Sequence, residues 1–124
     1  MLFLLCSCTG TYRVIDNYIV SYYNAKDPKS SDYSIELFCN PGCEQDPVVD
    51  NVKSISWNKR TMVIEQWQSD ENKWYFVLCA KDSLMCCCRD TLLGPFSEHE
   101  KDSVLEARQI DISKMEEKKW RSPF

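Results

Sequence analysis

The eight cysteines are the side chains of this sequence best suited to chemistry. Cys39 and Cys43 lie in the segment CNPGC, where the Pro-Gly pair turns the chain and can bring the two thiols together. Cys86 and Cys88 are two positions apart, so on a strand both would lie on the same face. In an oxidising compartment these residues predict disulfides, with Cys39 and Cys43 as the favoured local pair. Buried reduced thiols are the second interpretation, and a zinc site, for which the spacing is a weak signature, is the third.

The first eight residues, MLFLLCSC, decide which redox compartment applies to those cysteines. An export signal combines a basic start, an apolar run and a small residue before the cleavage point. The run Leu5-Cys6-Ser7-Cys8 resembles the lipobox of bacterial lipoproteins, with Cys8 as the acylated residue. No basic residue precedes the apolar run, so a start codon upstream of Met1 is expected. The alternative is an apolar N-terminal strand of a cytosolic domain.

Length and composition limit the classes of function. The chain has 124 residues, of which 44% are hydrophobic and 27% are charged, as expected for one globular domain. The net charge of −4 argues against nucleic acid as a partner, because nucleic-acid binding requires a concentrated basic surface. No later segment approaches the ~20 apolar residues of a membrane span. Any membrane attachment is therefore expected through a lipid anchor at the N-terminus.

The residues expected of an enzyme are sparse. The single histidine, His99, lies in the first turn of a predicted helix, where an exposed side chain is expected and a Cys–His pair is not. The nineteen acidic residues form no paired motif, and Glu65 is interpreted as an exposed strand residue rather than a buried acid. The aromatic side chains are interpreted as core rather than as the lining of a sugar or lipid cleft. The sequence predicts no catalytic residue and no cofactor.

Most of the chain has the composition of β-strands, rich in β-branched and aromatic residues. The predicted strands are two in TYRVIDNYIVSYYN, bent at Asp16-Asn17, followed by YSIELFC, VKSISWN, TMVIEQW, KWYFVLCA and LMCCC. Asn58-Lys59-Arg60 predicts a hairpin between the fourth and fifth of these strands. The predicted fold class is α+β, a mainly antiparallel sheet of about five to seven strands in a meander, small sandwich or barrel.

One helix is predicted late in the chain. Ser97 and Glu100 form a capping box, in which each side chain satisfies an unpaired backbone N–H at the start of the helix. The helix is expected over about residues 98–108, packed on the sheet. The predicted organisation is a signal-peptide remnant over 1–8, one globular domain over 9–112 and a charged tail over 113–124.

Three segments together resemble a family of small bacterial lipoproteins of unknown function: VKSISWNKRTMVIEQ, WYFVLCAKD and GPFSEHE. The shared features are a Trp-Asn strand, a tyrosine-containing aromatic strand and a Gly-Pro opening to a late helix, at Ile55, Ser56, Trp57, Asn58, Tyr75, Gly94, Pro95, Ser97 and Glu98. The resemblance covers roughly residues 8–112. It implies an envelope location and a fold but no catalytic residues, because the family carries no established activity. The cysteine-rich segments depart from the family pattern.

The functional prediction is a lipoprotein of the bacterial cell envelope that acts by binding rather than catalysis, with the membrane and an envelope protein as its partners. Its interaction face is expected on the exposed sides of YSIELFC and TMVIEQW, where Glu36 and Glu65 lie. Two other functions stay open. A small-ligand carrier of lipocalin-like type predicts an enclosed cavity. An immunity-type inhibitor predicts a clustered acidic patch that meets a basic toxin surface.

Overall fold

The structure is a computed structural model that describes residues 10–15, 18–24, 26–39, 47–79 and 91–124. Within these residues it contains eight strands: β1 (Gly10–Arg13), β2 (Tyr18–Tyr23), β3 (Ser34–Cys39), β4 (Val52–Trp57), β5 (Thr61–Trp67), β6 (Lys73–Cys79), β7 (Thr91–Phe96) and β8 (Glu116–Lys119). One α-helix, α1 (Glu98–Ala107), follows β7, and a short 3-10 helix spans Ile112–Lys114. The strands form two sheets, sheet A in the order β1-β2-β3 and sheet B in the order β7-β6-β5-β4-β8.

Every strand pair in both sheets is antiparallel, which confirms the predicted fold class. Six of the strands correspond to predicted ones, and the seventh prediction, LMCCC, lies outside the described residues. The β4–β5 hairpin turns at the predicted position. There the Asn58 side-chain oxygen accepts hydrogen bonds from the backbone N–H groups of Arg60 and Thr61, each at 2.9 Å. Local turn chemistry therefore sets this connection.

Two strands were not predicted, so the expected count of five to seven is too low for the described residues. Strand β7 contains Gly94-Pro95, a pair that usually marks a turn. It lies at the edge of sheet B, where proline is tolerated because no neighbouring strand needs its missing N–H.

Strand β8 corrects the prediction of a charged tail over residues 113–124. Its four residues, EEKK, are all exposed and give no apolar alternation, yet they pair with β4 from Glu116 opposite Trp57 to Lys119 opposite Ser54. The Trp120 N–H extends the pairing to the Lys53 carbonyl at 2.8 Å. Backbone pairing and the contact of Trp120 with the core hold this segment in place. Its short, charged character is typical of an edge strand that resists further pairing.

The two sheets pack face to face around an apolar layer. Side chains from β2 and β3 meet side chains from β4, β5 and β6, and the fully buried members include Val20, Leu37, Ile55, Met62 and Ile64, each 0% exposed. Tyr12 of β1 contacts Trp57 and Trp120 edge-on, with ring centroids 6.0 and 6.3 Å apart. These ring contacts join the β1 edge of sheet A to the β8 edge of sheet B.

Helix α1 covers the opposite face of sheet B. Leu105 is 6% exposed and packs with Val63 of β5 and Val77 of β6 in a second, smaller apolar cluster that also includes Phe96. The predicted capping box is present: the Glu100 N–H donates to the Ser97 hydroxyl at 3.1 Å, and the Ser97 N–H donates to the Glu100 carboxylate at 2.9 Å. The helix is docked on the sheet, as predicted.

Replacing Ser97 with Ala is expected to lower the free energy of unfolding by about 1 kcal/mol, because the N–H of Glu100 loses its acceptor. The matched control is Ser103→Ala on the same helix, which removes only an exposed hydroxyl that donates to the His99 carbonyl. Chemical denaturation of the three proteins makes the measurement. Equal stability of the Ser97 and Ser103 variants would contradict the role assigned to the cap.

Candidate functional site

Among the described residues, the most extensive polar cluster lies between sheet B and helix α1, and Glu65 of β5 is at its centre. The Glu65 Oε1 atom accepts a hydrogen bond from the Ser54 hydroxyl at 2.7 Å and an ion-paired hydrogen bond from the Lys53 ammonium at 3.2 Å. Both donors come from β4, the strand next to β5. A carboxylate on this face therefore receives two donors from consecutive residues of one strand.

A β-bulge explains how two consecutive residues reach the same acceptor. Pairing between β4 and β5 shifts between Val52 and Ser54, which leaves Lys53 as an additional residue in β4. Consecutive strand residues normally point to opposite faces, whereas a bulge redirects one of them. Val52 is buried in the core between the sheets, while Lys53 and Ser54 both contact Glu65.

The second carboxylate oxygen faces β6. The Tyr75 hydroxyl donates to Glu65 Oε2 at 3.1 Å, and the Lys73 ammonium lies 3.7 Å from the same atom. From α1, the Lys101 ammonium lies 4.8 Å from the centroid of the Tyr75 ring, a favourable cation–π distance. Two ammonium groups thus face the single negative charge of Glu65, and a third lies over the ring of the tyrosine that donates a hydrogen bond to it.

The environment of the cluster shifts both acidic groups away from proton transfer near neutral pH. Burial opposes ionisation of Glu65, but the hydrogen bond from Ser54 and the charge of Lys53 outweigh it, so the pKa of Glu65 is lowered. Burial, and then the adjacent Glu65 carboxylate, raise the pKa of the Tyr75 hydroxyl. General acid–base catalysis is most efficient when the pKa is near the working pH. The cluster is therefore suited to holding charge rather than exchanging protons.

A cleft of about 210 Å³ opens beside this cluster. Ser56, Glu65 and Tyr75 form part of its floor on the sheet, and its walls include Glu98 and Lys101 of α1 and Glu117 of β8. Two larger clefts, of about 510 and 320 Å³, flank the β4–β5 hairpin and share Asn58 and Lys59. All three are open to solvent.

The exposed surface of α1 is acidic. Glu98, Asp102 and Glu106 are spaced by four residues and form one row along the helix, here called the acidic row, and all three are exposed. The only lysine of α1, Lys101, has a side chain that is only 12% exposed and pairs with Asp102 at 2.8 Å. Like charges four residues apart slightly destabilise a helix. Glu98 lies in the first turn, where negative charge favours the helix dipole, but helix stability gives no reason for Glu106 in the last turn.

The structure does not bring Glu36 and Glu65 onto one interaction face. On β3 the predicted alternation is present, with Ile35, Leu37 and Cys39 buried and Glu36 on the outer side of sheet A. Strand β5 has little exposed surface, because the core covers one face and Leu105 of α1 packs on Val63 of the other. The Glu65 side chain is only 17% exposed, so its interpretation as an exposed residue is wrong.

The cysteine predictions fall mostly outside the described residues. Cys39 is 1% exposed and disulfide-bonded, and its partner lies outside the described part of the chain. Cys43, Cys86, Cys88 and the predicted lipidation site Cys8 also lie outside it, so the pairing of Cys39 with Cys43 stays a prediction. Cys79 has a free thiol, to which Arg108 Nη1 donates at 3.6 Å. The described residues contain no group of three His, Cys, Asp or Glu side chains able to hold a metal ion.

Sequence reasoning missed the donors around Glu65. Lys53, Ser54 and Lys73 were not singled out, and Tyr75 entered only as one of the core or cleft aromatics and through the family resemblance. One signal was present: Lys73, Tyr75 and Val77 alternate along β6, and Glu65 lies opposite Tyr75 in the β5–β6 register. The bulge that directs Lys53 toward Glu65 has no comparable sequence signature, because no glycine or proline marks it.

Comparison with known proteins identifies no relative: no protein-family model, no curated protein and no solved structure matches the chain. The resemblance to small bacterial lipoproteins stays an expectation. Among the described residues, no helix is long and apolar enough to span a membrane.

Proposed function

We propose that this protein is an envelope-anchored lipoprotein that acts by binding a partner protein with a basic surface, through the acidic row of α1. The observation that carries the proposal is the row itself: Glu98, Asp102 and Glu106 are exposed along one edge of a helix that is docked on sheet B through Leu105. Complementary charge steers association and favours basic partners over acidic ones.

The organisation of α1 supports a binding role. Leu105 packs on the sheet and the capping box holds the first turn, so the acidic row is presented on a rigid element. A preorganised surface loses less conformational entropy on association than a mobile one does. Glu117 of β8 lines the same small cleft as Glu98, and its carboxylate lies 3.9 Å from the Lys119 ammonium.

The Glu65 cluster supports binding over catalysis. Its carboxylate is saturated by Lys53, Ser54, Lys73 and Tyr75, and the pKa values of Glu65 and Tyr75 are shifted in the directions that keep each group in its neutral-pH form. We assign the cluster a structural role: it joins β4, β5 and β6 beneath the helix that carries the acidic row.

An immunity-type inhibitor is the second candidate, because a clustered acidic patch is the feature that this class requires. The acidic row would then meet the basic face of a toxin and block it. The lipocalin-like carrier receives no such support from the described residues: buried side chains of both sheets pack together between them, and the three clefts described above are open. The partner recovered in the binding assay below is also tested for activity with and without the chain. Loss of its activity in the complex distinguishes an inhibitor from a simple binding module.

Glu106→Lys tests the acidic row. Recovery of the partner from envelope extracts by the tagged chain is expected to fall about tenfold, the effect of losing roughly 1.4 kcal/mol of binding free energy. A lysine near the C-terminal end of α1 favours the helix dipole, so the fold is expected to stay intact. The control is Glu71→Lys on the exposed β5–β6 turn. Equal recovery by both variants, or no decrease for wild type as salt is raised, contradicts the proposal.

The anchor has a separate test. Fatty-acid labelling of the full-length precursor in cells is expected to give a labelled protein, because Leu5-Cys6-Ser7-Cys8 has the lipobox order of leucine, small residue and cysteine. The label is expected to be absent from Cys8→Ala and retained by the control Cys79→Ala. Equal labelling of wild type and Cys8→Ala would show that Cys8 is not the acylated residue.

A further inference from the structure

The first described residue, Gly10, lies at one end of the two packed sheets. Gly10 pairs with Tyr22 in sheet A, and Tyr23 and Ser34 follow at the same end. The Tyr33 hydroxyl donates to the Arg121 carbonyl, which joins this end to the C-terminal segment. Phe124 then contacts Trp67 of sheet B, with ring centroids 6.2 Å apart, and Trp67 pairs with Lys73. These contacts place Gly10, Tyr23, Trp74 and Phe124 at a common end.

Most of the exposed large hydrophobic side chains lie at this end. Four such side chains are exposed among the described residues: Tyr23 at 48%, Trp74 at 36%, Ile112 at 39% and Phe124 at 52%. All but Ile112 belong to the end that contains Gly10, and we call Tyr23, Trp74 and Phe124 the aromatic rim. Ile112 instead lines the small cleft beside α1. Aromatic side chains on one end, rather than scattered over the surface, indicate a contact region.

We infer that the aromatic rim rests on the lipid bilayer and inserts its side chains at the level of the headgroups. The orientation argument rests on the proposed anchor at Cys8. Gly10 is two positions after Cys8, and two residue steps span at most about 7 Å. An acylated Cys8 lies at the membrane surface, so the end that contains Gly10 is held within that distance of it. Tyr and Trp are favoured at a membrane interface because each combines an apolar body with a polar tip.

The charged residues near the aromatic rim are consistent with membrane binding that does not require anionic lipid. Lys26, Lys29 and Arg121 are exposed at this end, and so are the acidic residues Asp27, Asp32, Asp70 and Glu71. The two signs offset each other, so electrostatic attraction to anionic headgroups contributes little. The rim would therefore act through apolar area, as a second contact that strengthens a lipid anchor. The opposite end, with the β4–β5 hairpin and the C-terminal end of α1, then faces away from the bilayer.

Tryptophan fluorescence in vesicles tests this orientation. The full-length lipidated protein is reconstituted in phosphatidylcholine vesicles whose acyl chains carry bromine, a quencher confined to the bilayer. Emission is expected to be quenched, and most of the quenching is expected to be lost in Trp74→Phe. The matched control adds Ile112→Trp to Trp74→Phe, which places a tryptophan at the exposed position outside the rim. Quenching is not expected to return in the control.

Two further arms separate the rim from the anchor. The full-length Cys8→Ala protein, mixed with the same vesicles at rising lipid concentration, is expected to show quenching that also depends on Trp74. If Cys8→Ala is quenched and the wild type carries no fatty-acid label, the lipid anchor is contradicted and the membrane contact of the aromatic rim is supported. If neither the wild type nor Cys8→Ala shows quenching that depends on Trp74, the membrane contact of the aromatic rim is contradicted, even where Cys8 carries label. Equal quenching in Trp74→Phe and in its Ile112→Trp derivative also supports the rim, whereas stronger quenching in the derivative overturns the orientation.

Discussion

Replacing Glu65 with Gln is expected to lower the free energy of unfolding by about 2 kcal/mol. The amide keeps the shape of the side chain, but it carries no charge to pair with Lys53 and Lys73, and its NH₂ group cannot accept a hydrogen bond. One side of the cluster then loses an acceptor, and two partly buried ammonium groups lose their counter-ion. Urea denaturation at neutral pH measures the change.

The control for Glu65→Gln is Glu36→Gln. Both residues are strand glutamates, but Glu36 lies on the outer side of sheet A, so its substitution is expected to change stability by less than about 0.5 kcal/mol. Equal effects of the two substitutions would mean that the cluster contributes no net stability.

The pH dependence of Glu65→Gln follows from the lowered pKa of Glu65. The Glu65 carboxylate stays ionised to lower pH in the folded protein than in the unfolded chain. In the unfolded chain its pKa has the usual value of 4.5. The stabilisation is therefore fully present above the unfolded pKa and is lost as the pH falls through the folded pKa. The stability difference between wild type and the Gln variant is expected to shrink below about pH 4.5. A difference that stays constant on acidification would contradict this account.

Replacing Gly94 with Ala is expected to destabilise the protein by about 3 kcal/mol. Gly94 has φ of +126°, a conformation that residues with a Cβ rarely adopt, and an added Cβ would lie 2.7 Å from the Tyr75 carbonyl oxygen. Backbone cannot move aside as a flexible side chain can. Since Tyr75 also holds Glu65, displacement of β7 is expected to disturb the cluster. Thermal denaturation followed by circular dichroism is the measurement.

Gly10→Ala is the matched control for Gly94→Ala. A Cβ at Gly10 would also come within 2.7 Å of another atom, but that atom is the hydroxyl oxygen of Tyr22, at the far end of a side chain. The Gly10 variant is expected to lose at most about 1 kcal/mol, because the ring can shift. A Gly94 variant no less stable than the Gly10 variant would show that β7 accommodates a side chain at this position.

Local features account for the parts of the fold that were predicted. Ser97 and Glu100 cap α1 through atoms three residues apart, and Asn58 closes its hairpin through N–H groups two and three residues away. Such interactions depend on near neighbours and are therefore visible in the sequence. The alternation of β3 is equally legible, because one of its faces is buried and the other is not.

The sequence by itself determined an antiparallel β protein with one late, capped helix, since residue type, turn chemistry and periodicity act over a few positions. Only the tertiary structure decided how the outer face of β5 is covered, because Leu105 of α1, about forty residues downstream, packs on Val63 of that face. It also decided that the charged segment EEKK is a strand, since backbone pairing with β4 requires no apolar side chain. The bulge at Lys53 likewise arises from pairing between strands, so no single strand contains the information that places Lys53 beside Ser54 against Glu65.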